Sequence, residues 1–415
     1  MAQGSTGAER SPRLPRLLDF TRFGCAMHLW AVHAVSVSTH LGALAIGGVL
    51  VSERMSRVPW RKYRYALLPL GVYCALVIVS TTQSMDTSVS WDRTSKLASY
   101  TSVVITLILL RGELWVRKVA DGLIIVGSLV ALYALGQALI IGDLSRGLGD
   151  PALRLRATFS VHTTLAGILT LILCVTLAQL AAGRRAWRWW KWTAALLMVT
   201  ALGLGLTRGA WLALAATLFA LATLCGWKWL AAFPALALGI FLIAPGTVVE
   251  RLTSDFDLQL PTYGDRLEMW RAGGQMIRDH PVWGVGTGMV RHLYPEYRTS
   301  GAVRENPEHL HSAYIQAAAD NGLPTLAAIL WFLSWSGWCA FRGFRRARVE
   351  GRSDIDLYLA SVLGILAFAV GGLFEDNWND SEVQRLLFFL IAIPGCLAAG
   401  EDRSTPPSTH RTAPH

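Results

Sequence analysis

The run GLIIVGSLVALYALGQALII, residues 122–141, is twenty residues long and holds no charge. A helix rising 1.5 Å per residue needs about that length to cross a hydrocarbon core of about 30 Å. Shorter relatives of the run recur along the chain, as in ALLPLGVYCALVIVS at 66–80. Across all 415 residues, 53% are hydrophobic and only 16% are charged. A soluble domain carries about a quarter of its residues charged. In lipid, only helices and closed barrels satisfy their own backbone polar groups, and runs of this length choose helices. The sequence therefore predicts an all-α, polytopic membrane protein.

We count about twelve transmembrane helices, near 20–37, 39–52, 65–81, 97–110, 119–142, 160–182, 192–206, 210–226, 229–246, 323–341, 357–374 and 383–399. The organisation expected is nine spans in 1–246, one large loop at 247–322, three spans in 323–399 and a disordered polar tail at 400–415. No small-residue cleavage site follows the first apolar segment, so no cleaved signal peptide is expected. The net charge of +10 does not call for nucleic acid. In a membrane protein, excess Lys and Arg mark the cytoplasmic loops. The basic connections SERMSRVPWRKYR, RGELWVRK, GRRAWRWWK and FRGFRRARVEGR all fall on one side if the N-terminus is inside. That places the large loop and EDNWND (375–380) outside. The six cysteines lie in or beside apolar segments, so neither a structural disulfide nor a thiolate metal site is expected.

The large loop is too long for a simple connection, and loops of that length usually carry function. GDRLEMWRAGGQMIRDH reads as a helix capped by Asp265 and stopped before Pro281. VWGVGTG then makes a glycine turn, and NPEHLHSAYIQAAADNG, residues 306–322, makes a second helix. Two starts fit that helix, an Asn306 cap with Pro307 in the first turn, or a Ser312 cap further on. Either start puts His309 and His311 at or near a helix N-terminus. On a helix, residues two apart point about 200° apart, so the pair is not expected to face one atom.

Walker loops, zinc-protease helices and serine elbows are absent from the sequence. The aspartate pairs Asp255–Asp257 and Asp354–Asp356 are weak metal candidates, since two acids so close recur by chance. More informative is a set of polar groups on the outer side. Arg208 stands in the short turn of GLTRGAWLAL, Arg156 ends a basic outer segment and Arg266 opens the loop helix. Each arginine could be a plain interfacial anchor, and each histidine a plain loop or cap residue. Together they suit an anionic diphosphate and a hydroxyl nucleophile. Guanidinium forks grip phosphate oxygens, and imidazole takes a proton near neutral pH.

In this combination the chain resembles the O-antigen ligase family, within a larger group of O-antigen polymerases and protein O-oligosaccharyltransferases. The resemblance rests on RATFSVHTTLAGIL (156–169), LTRGAWLAL (206–214), DRLEMWRAGGQMIRDHPVWGVGTG (265–288), HLHSAYIQAAADNGLPTL (309–326) and EDNWND (375–380). It implies a GT-C-like glycosyltransferase of the Gram-negative inner membrane, active on the periplasmic face. The donor implied is O-antigen on undecaprenyl diphosphate, the acceptor is a sugar hydroxyl of lipid A–core, and no cofactor, metal or nucleic acid is required. The resemblance puts the essential arginines at Arg208 and Arg266 and the essential histidine, the general base, at His311. Arg156 is expected to support the diphosphate, and His309, Ser312, Asp376 and Asp380 to support the site, with Glu375 in the same outer turn. Two positions depart from the family pattern. Ser312 stands where asparagine is usual, and HTTLAG (162–167) lacks the usual asparagine before its Ala-Gly. An O-antigen polymerase shares the same motifs. A lipid-linked glycan transporter would instead favour charges deep inside several spans.

Overall fold

The computed structural model describes residues 13–30, 59–141, 155–159, 161–182, 189–205, 207–231, 261–299, 302 and 304–404. All regular structure among them is helical. In chain order the helices are α1 (Arg13–Trp30), α2 (Trp60–Thr82), α3 (Thr87–Thr94), α4 (Thr101–Leu109), α5 (Glu113–Ile141), α6 (His162–Ala182), α7 (Trp189–Leu204), α8 (Arg208–Cys225), α9 (Pro261–Asp279), α10 (Val290–Tyr297), α11 (Ala313–Asn321), α12 (Leu323–Val349), α13 (Ile355–Gly371) and α14 (Ser381–Ser404).

Six of these, α2, α5, α6, α8, α12 and α14, are long and apolar enough to cross a membrane, and α13 is a shorter apolar helix. The structure thus supports a polytopic helical protein without giving twelve spans. The expected span 39–52 and most of 229–246 lie outside the described residues, as do Asp255 and Asp257. The expected span 97–110 is the end of one helical run from Thr87 to Leu109, tightened to 3-10 geometry at Ser95–Tyr100. Ser95, Ser99 and Thr101 each donate a side-chain hydrogen bond to the carbonyl three residues back. Such bonds compete with the α-helical ladder. At the other end, the tail is not irregular from 400. The α14 helix continues to Ser404, and nothing in the sequence opposes it before Pro406.

The centre of the bundle is α13, which packs on α6, α8, α12 and α14. Its small residues permit the close approach that packing in lipid relies on. A Cβ on Gly364 would fall 2.3 Å from Leu390 Cδ1 of α14. At the start of α13, Asp356 is held by the Arg117 guanidinium of α5 at 2.7 Å. Arg117 also binds Glu113 and the Ser353 carbonyl, and Asp354 is taken by Arg352. Both members of this aspartate pair are therefore structural partners of arginines.

The segment from α9 to α11 forms a second, smaller core of Met269, Ala272, Met276, Val290, Tyr294 and Leu310. The glycine turn that joins α9 to α10 lies along the end of α11. Val285 and Gly286 donate to the Ala319 and Asp320 carbonyls at 2.9 and 2.8 Å. Gly284 has φ +66°, and a Cβ there would meet the Ala319 oxygen at 2.5 Å. Only glycine meets both conditions. The turn is tied to the bundle through Ser80 of α2, which donates to the Trp283 carbonyl at 2.7 Å.

Candidate functional site

Two helix ends and one turn build the site. The α11 helix begins at Ala313, because Ser312 is its cap, in extended conformation, with Oγ accepting from Ile315 N–H. Of the two starts the sequence allowed, the later one is observed. Consequently His309 and His311 precede the helix. The expectation that they diverge by 200° is overturned. In a chain running into a cap, residues two apart can lie on the same side, and the two rings stand 4.4 Å apart between centroids. His311 has φ +49°, a left-handed conformation that is uncommon outside glycine.

The second contributor is the turn between α13 and α14, where Glu375 is buried. One carboxylate oxygen of Glu375 accepts from Arg266 Nη2 at 2.9 Å, and the other lies 3.2 Å from His311 Nδ1. Burial works to raise the Glu375 pKa. The His311 hydrogen bond and the Arg266 charge outweigh it and hold the carboxyl below its usual value. Glu375 therefore stays ionised and fixes the tautomer with hydrogen on Nδ1, leaving Nε2 as acceptor. Arg304 approaches that Nε2 at 3.4 Å. That is long for a hydrogen bond, so a substrate hydroxyl can displace it. His309 is pushed down to about 4, by burial first and by the neighbouring His311 second, so its ring is neutral at physiological pH.

Arg266 comes from the first turns of α9, which starts at Pro261 and not at Asp265. Asp265 is no cap. It is buried inside the helix and binds Arg304 twice, through Nε and through the backbone N–H, both at 3.1 Å. Its pairing places Arg304 against His311. Sequence reading missed Arg304 altogether; the signal available was an arginine seven residues before His311 in the same loop. Arg208 opens α8 beside the Glu375 turn, since a Cβ on the next residue, Gly209, would lie 3.4 Å from Glu375 Cγ. Arg156 stands in the turn leading into α6, and Thr163 and Thr164 of α6 line the cavity described next.

Beyond His309 lies a cavity of about 400 Å³, lined by His309, Glu375 and the 376–382 turn, and across from them by α3 and α10. Asp380 caps α14, accepting from the Glu382 and Val383 N–H groups, and also binds Thr164. Asp376 receives Asn379 on one oxygen. Burial pushes Asp376 up to about 8 and Asp380 to about 6.

His309, His311 and Glu375 offer ligand atoms within 4.8 Å of one another. A cation there would break the His311–Glu375 hydrogen bond and sit close to Arg266 and Arg304. The trio is therefore better suited to moving a proton than to holding an ion.

Fold and site together define a multi-pass helical membrane protein with a histidine–carboxylate–arginine centre at one end of its bundle. The family model described as Wzy_C, O-antigen ligase, matches residues 193–330, about a third of the chain. The match supports the O-antigen ligase family, and with it ligase- or polymerase-type transfer at a membrane. Arg208, Arg266, His309, His311 and Ser312 fall inside the matched segment, whereas Arg156, Glu375, Asp376 and Asp380 fall outside it. No curated protein matches the chain.

Proposed function

We propose that this protein is an O-antigen ligase. In that reading it transfers O-antigen from undecaprenyl diphosphate to a sugar hydroxyl of lipid A–core, at the periplasmic face of a Gram-negative inner membrane. The observation that carries the reading is Glu375 shared between Arg266 and His311. It joins a phosphate-binding group and a proton acceptor in one rigid unit, next to Arg208.

The reaction is an inverting displacement. The acceptor oxygen attacks the anomeric carbon of the donor sugar, and the bond from that carbon to the diphosphate oxygen breaks. The hydroxyl proton passes to His311 Nε2. Glu375 holds the ring and stabilises the imidazolium that forms, as a carboxylate does in other histidine-centred sites. The departing diphosphate is already a good leaving group, and Arg208 and Arg266 offset its developing charge. Arg156 supports the same anion. Ser312 acts through the α11 cap, holding the histidines in place. Since guanidinium groups neutralise the diphosphate, the reaction needs no metal.

The test is the lipopolysaccharide of a deletion strain, run on a gel. The ligase reading expects core free of O-antigen and accumulation of lipid-linked polymer. Core bearing a single repeat would indicate a polymerase and contradict the reading.

A further inference from the structure

Charge is divided across the two histidines. On the His311 side stand Arg266 and Arg304. On the His309 side, the cavity wall carries Glu308, Asp376, Asp380 and Glu382. The cations there, Arg93, Lys96 and Arg291, are fewer. With Asp376 raised to about 8, and so protonated near neutral pH, the charges of this wall come close to balance, and the chamber offers no cationic surplus to a second diphosphate or an acidic sugar. Its floor is aromatic, with Trp378 donating to Tyr73 Oη at 3.0 Å and Tyr73 stacked on Tyr100. Asn377 and Gln316 add amides to the wall. Carboxyl, amide and aromatic groups around about 400 Å³ form a lining whose polar groups suit the hydroxyls of an uncharged sugar, and the volume falls in the range of small-molecule sites, roughly 300–1,000 Å³.

One group in this wall is unsatisfied. Asp376 Oδ1 is buried and, among the described residues, has no hydrogen-bond partner. Buried polar atoms are rarely left so. Asp376 lies in the turn directly after Glu375 and is one of the residues around the cavity that His309 also lines.

We propose that this chamber seats the acceptor sugar, an uncharged, hydroxyl-bearing residue, with Asp376 as its main hydrogen-bond partner and acceptor selectivity set there. The inference rests on the ligase reading above. Sugar hydroxyls belong to the donor as well as to the acceptor. The donor's first sugar, however, is tethered to the diphosphate on the arginine side, so the far side of the histidines falls to the acceptor. The attacking hydroxyl then reaches the site past His309.

The test uses the purified full chain, undecaprenyl diphosphate-linked O-antigen and lipid A–core. Two variants probe the chamber independently. Asp376→Leu removes the hydrogen-bonding carboxyl. Val161→Trp fills the mouth from a residue that lines the cavity and is 41% exposed, so it puts no strain on the 375–380 turn. Both should raise the acceptor KM about tenfold, as loss of one hydrogen bond or a steric block would. Donor binding should stay within about twofold of wild type, with kcat at saturating acceptor largely kept. Unchanged acceptor KM in both variants, with wild type active, overturns the inference alone. Donor affinity falling in step with the acceptor KM also overturns it, and gives the chamber to the donor glycan. A wild-type chain that transfers nothing to lipid A–core overturns the ligase reading itself, and the inference with it.

Discussion

The two ends of α13 each meet an arginine–carboxylate pair, and the pairs differ in kind. At the start of the helix, Arg117 is bound by Asp356, Glu113 and the Ser353 carbonyl. Asp356 is 1% exposed, and the pair closes on itself. Just past the other end, Glu375 divides its two oxygens between Arg266 and His311, and Arg266 stays 27% exposed at the side chain. The first arrangement joins α5 to α13. The second leaves cation and imidazole available to something absent from the chain. The lesson is that an arginine in a membrane bundle is informative through what it leaves unsatisfied, more than through its presence.

That difference can be broken by mutation. Arg117→Ala leaves Asp356 buried without its cation, and losing one partner of such a pair costs about 3–5 kcal/mol. Thermal unfolding in detergent should show a large drop, while transfer per folded molecule persists. A variant that unfolds normally but transfers nothing would erase the distinction between the two ends. Arg266→Ala should act the other way. Donor binding should weaken about ten- to a hundredfold, the worth of one charge-assisted contact, with much less change in unfolding. Equilibrium binding of the lipid-linked donor checks it.

A smaller effect concerns pH. Asp376 has its carboxyl raised to about 8 in the folded chain, against about 3.9 unfolded. Its folded state therefore holds a proton that the unfolded state has lost. The stability it contributes is complete below about pH 4 and is lost as pH rises through 8. Relative to Asp376→Asn, which cannot titrate, wild type should lose thermal midpoint steadily from pH 5 to 8. A constant difference across that range would contradict the assignment. The smallest effect is none at all: EDTA should leave transfer unchanged, because Arg266 and His311 already take up the two oxygens of Glu375. Activity lost to chelator and restored by magnesium or manganese would turn the histidine pair into a metal site.

The bundle was legible because bilayer thickness writes itself into run length, as in 122–141 within α5. Irregular helix is not written that way. The 3-10 stretch at Ser95–Tyr100 depends on serine and threonine side chains choosing backbone partners, which hydropathy does not register. At the site, Arg208, Arg266 and His311 stood out by charge in an apolar chain. Local signals misled twice. Asp265 looked like a cap, although Pro261 four residues earlier suited the first turn better. The 200° divergence of the two histidines assumed the earlier of two open helix starts, whereas Ser312 caps the helix after them. The chamber was illegible, because it needs Tyr73 and Tyr100 to meet Trp378 from far along the chain, 305 residues apart for Tyr73.

The most direct measurement is single-turnover transfer at saturating donor by His311→Ala and His309→Ala. Of the two histidines, His311 is the one seen to hydrogen-bond Glu375 through a ring nitrogen, so the proposed mechanism gives it the proton. His311→Ala should slow transfer about a hundred- to ten-thousandfold, the usual cost of a lost general base, with donor binding intact. His309→Ala should lose about tenfold or less. A dead His309→Ala beside a near-normal His311→Ala would reverse the assignment, and full activity in both would remove histidine from the mechanism.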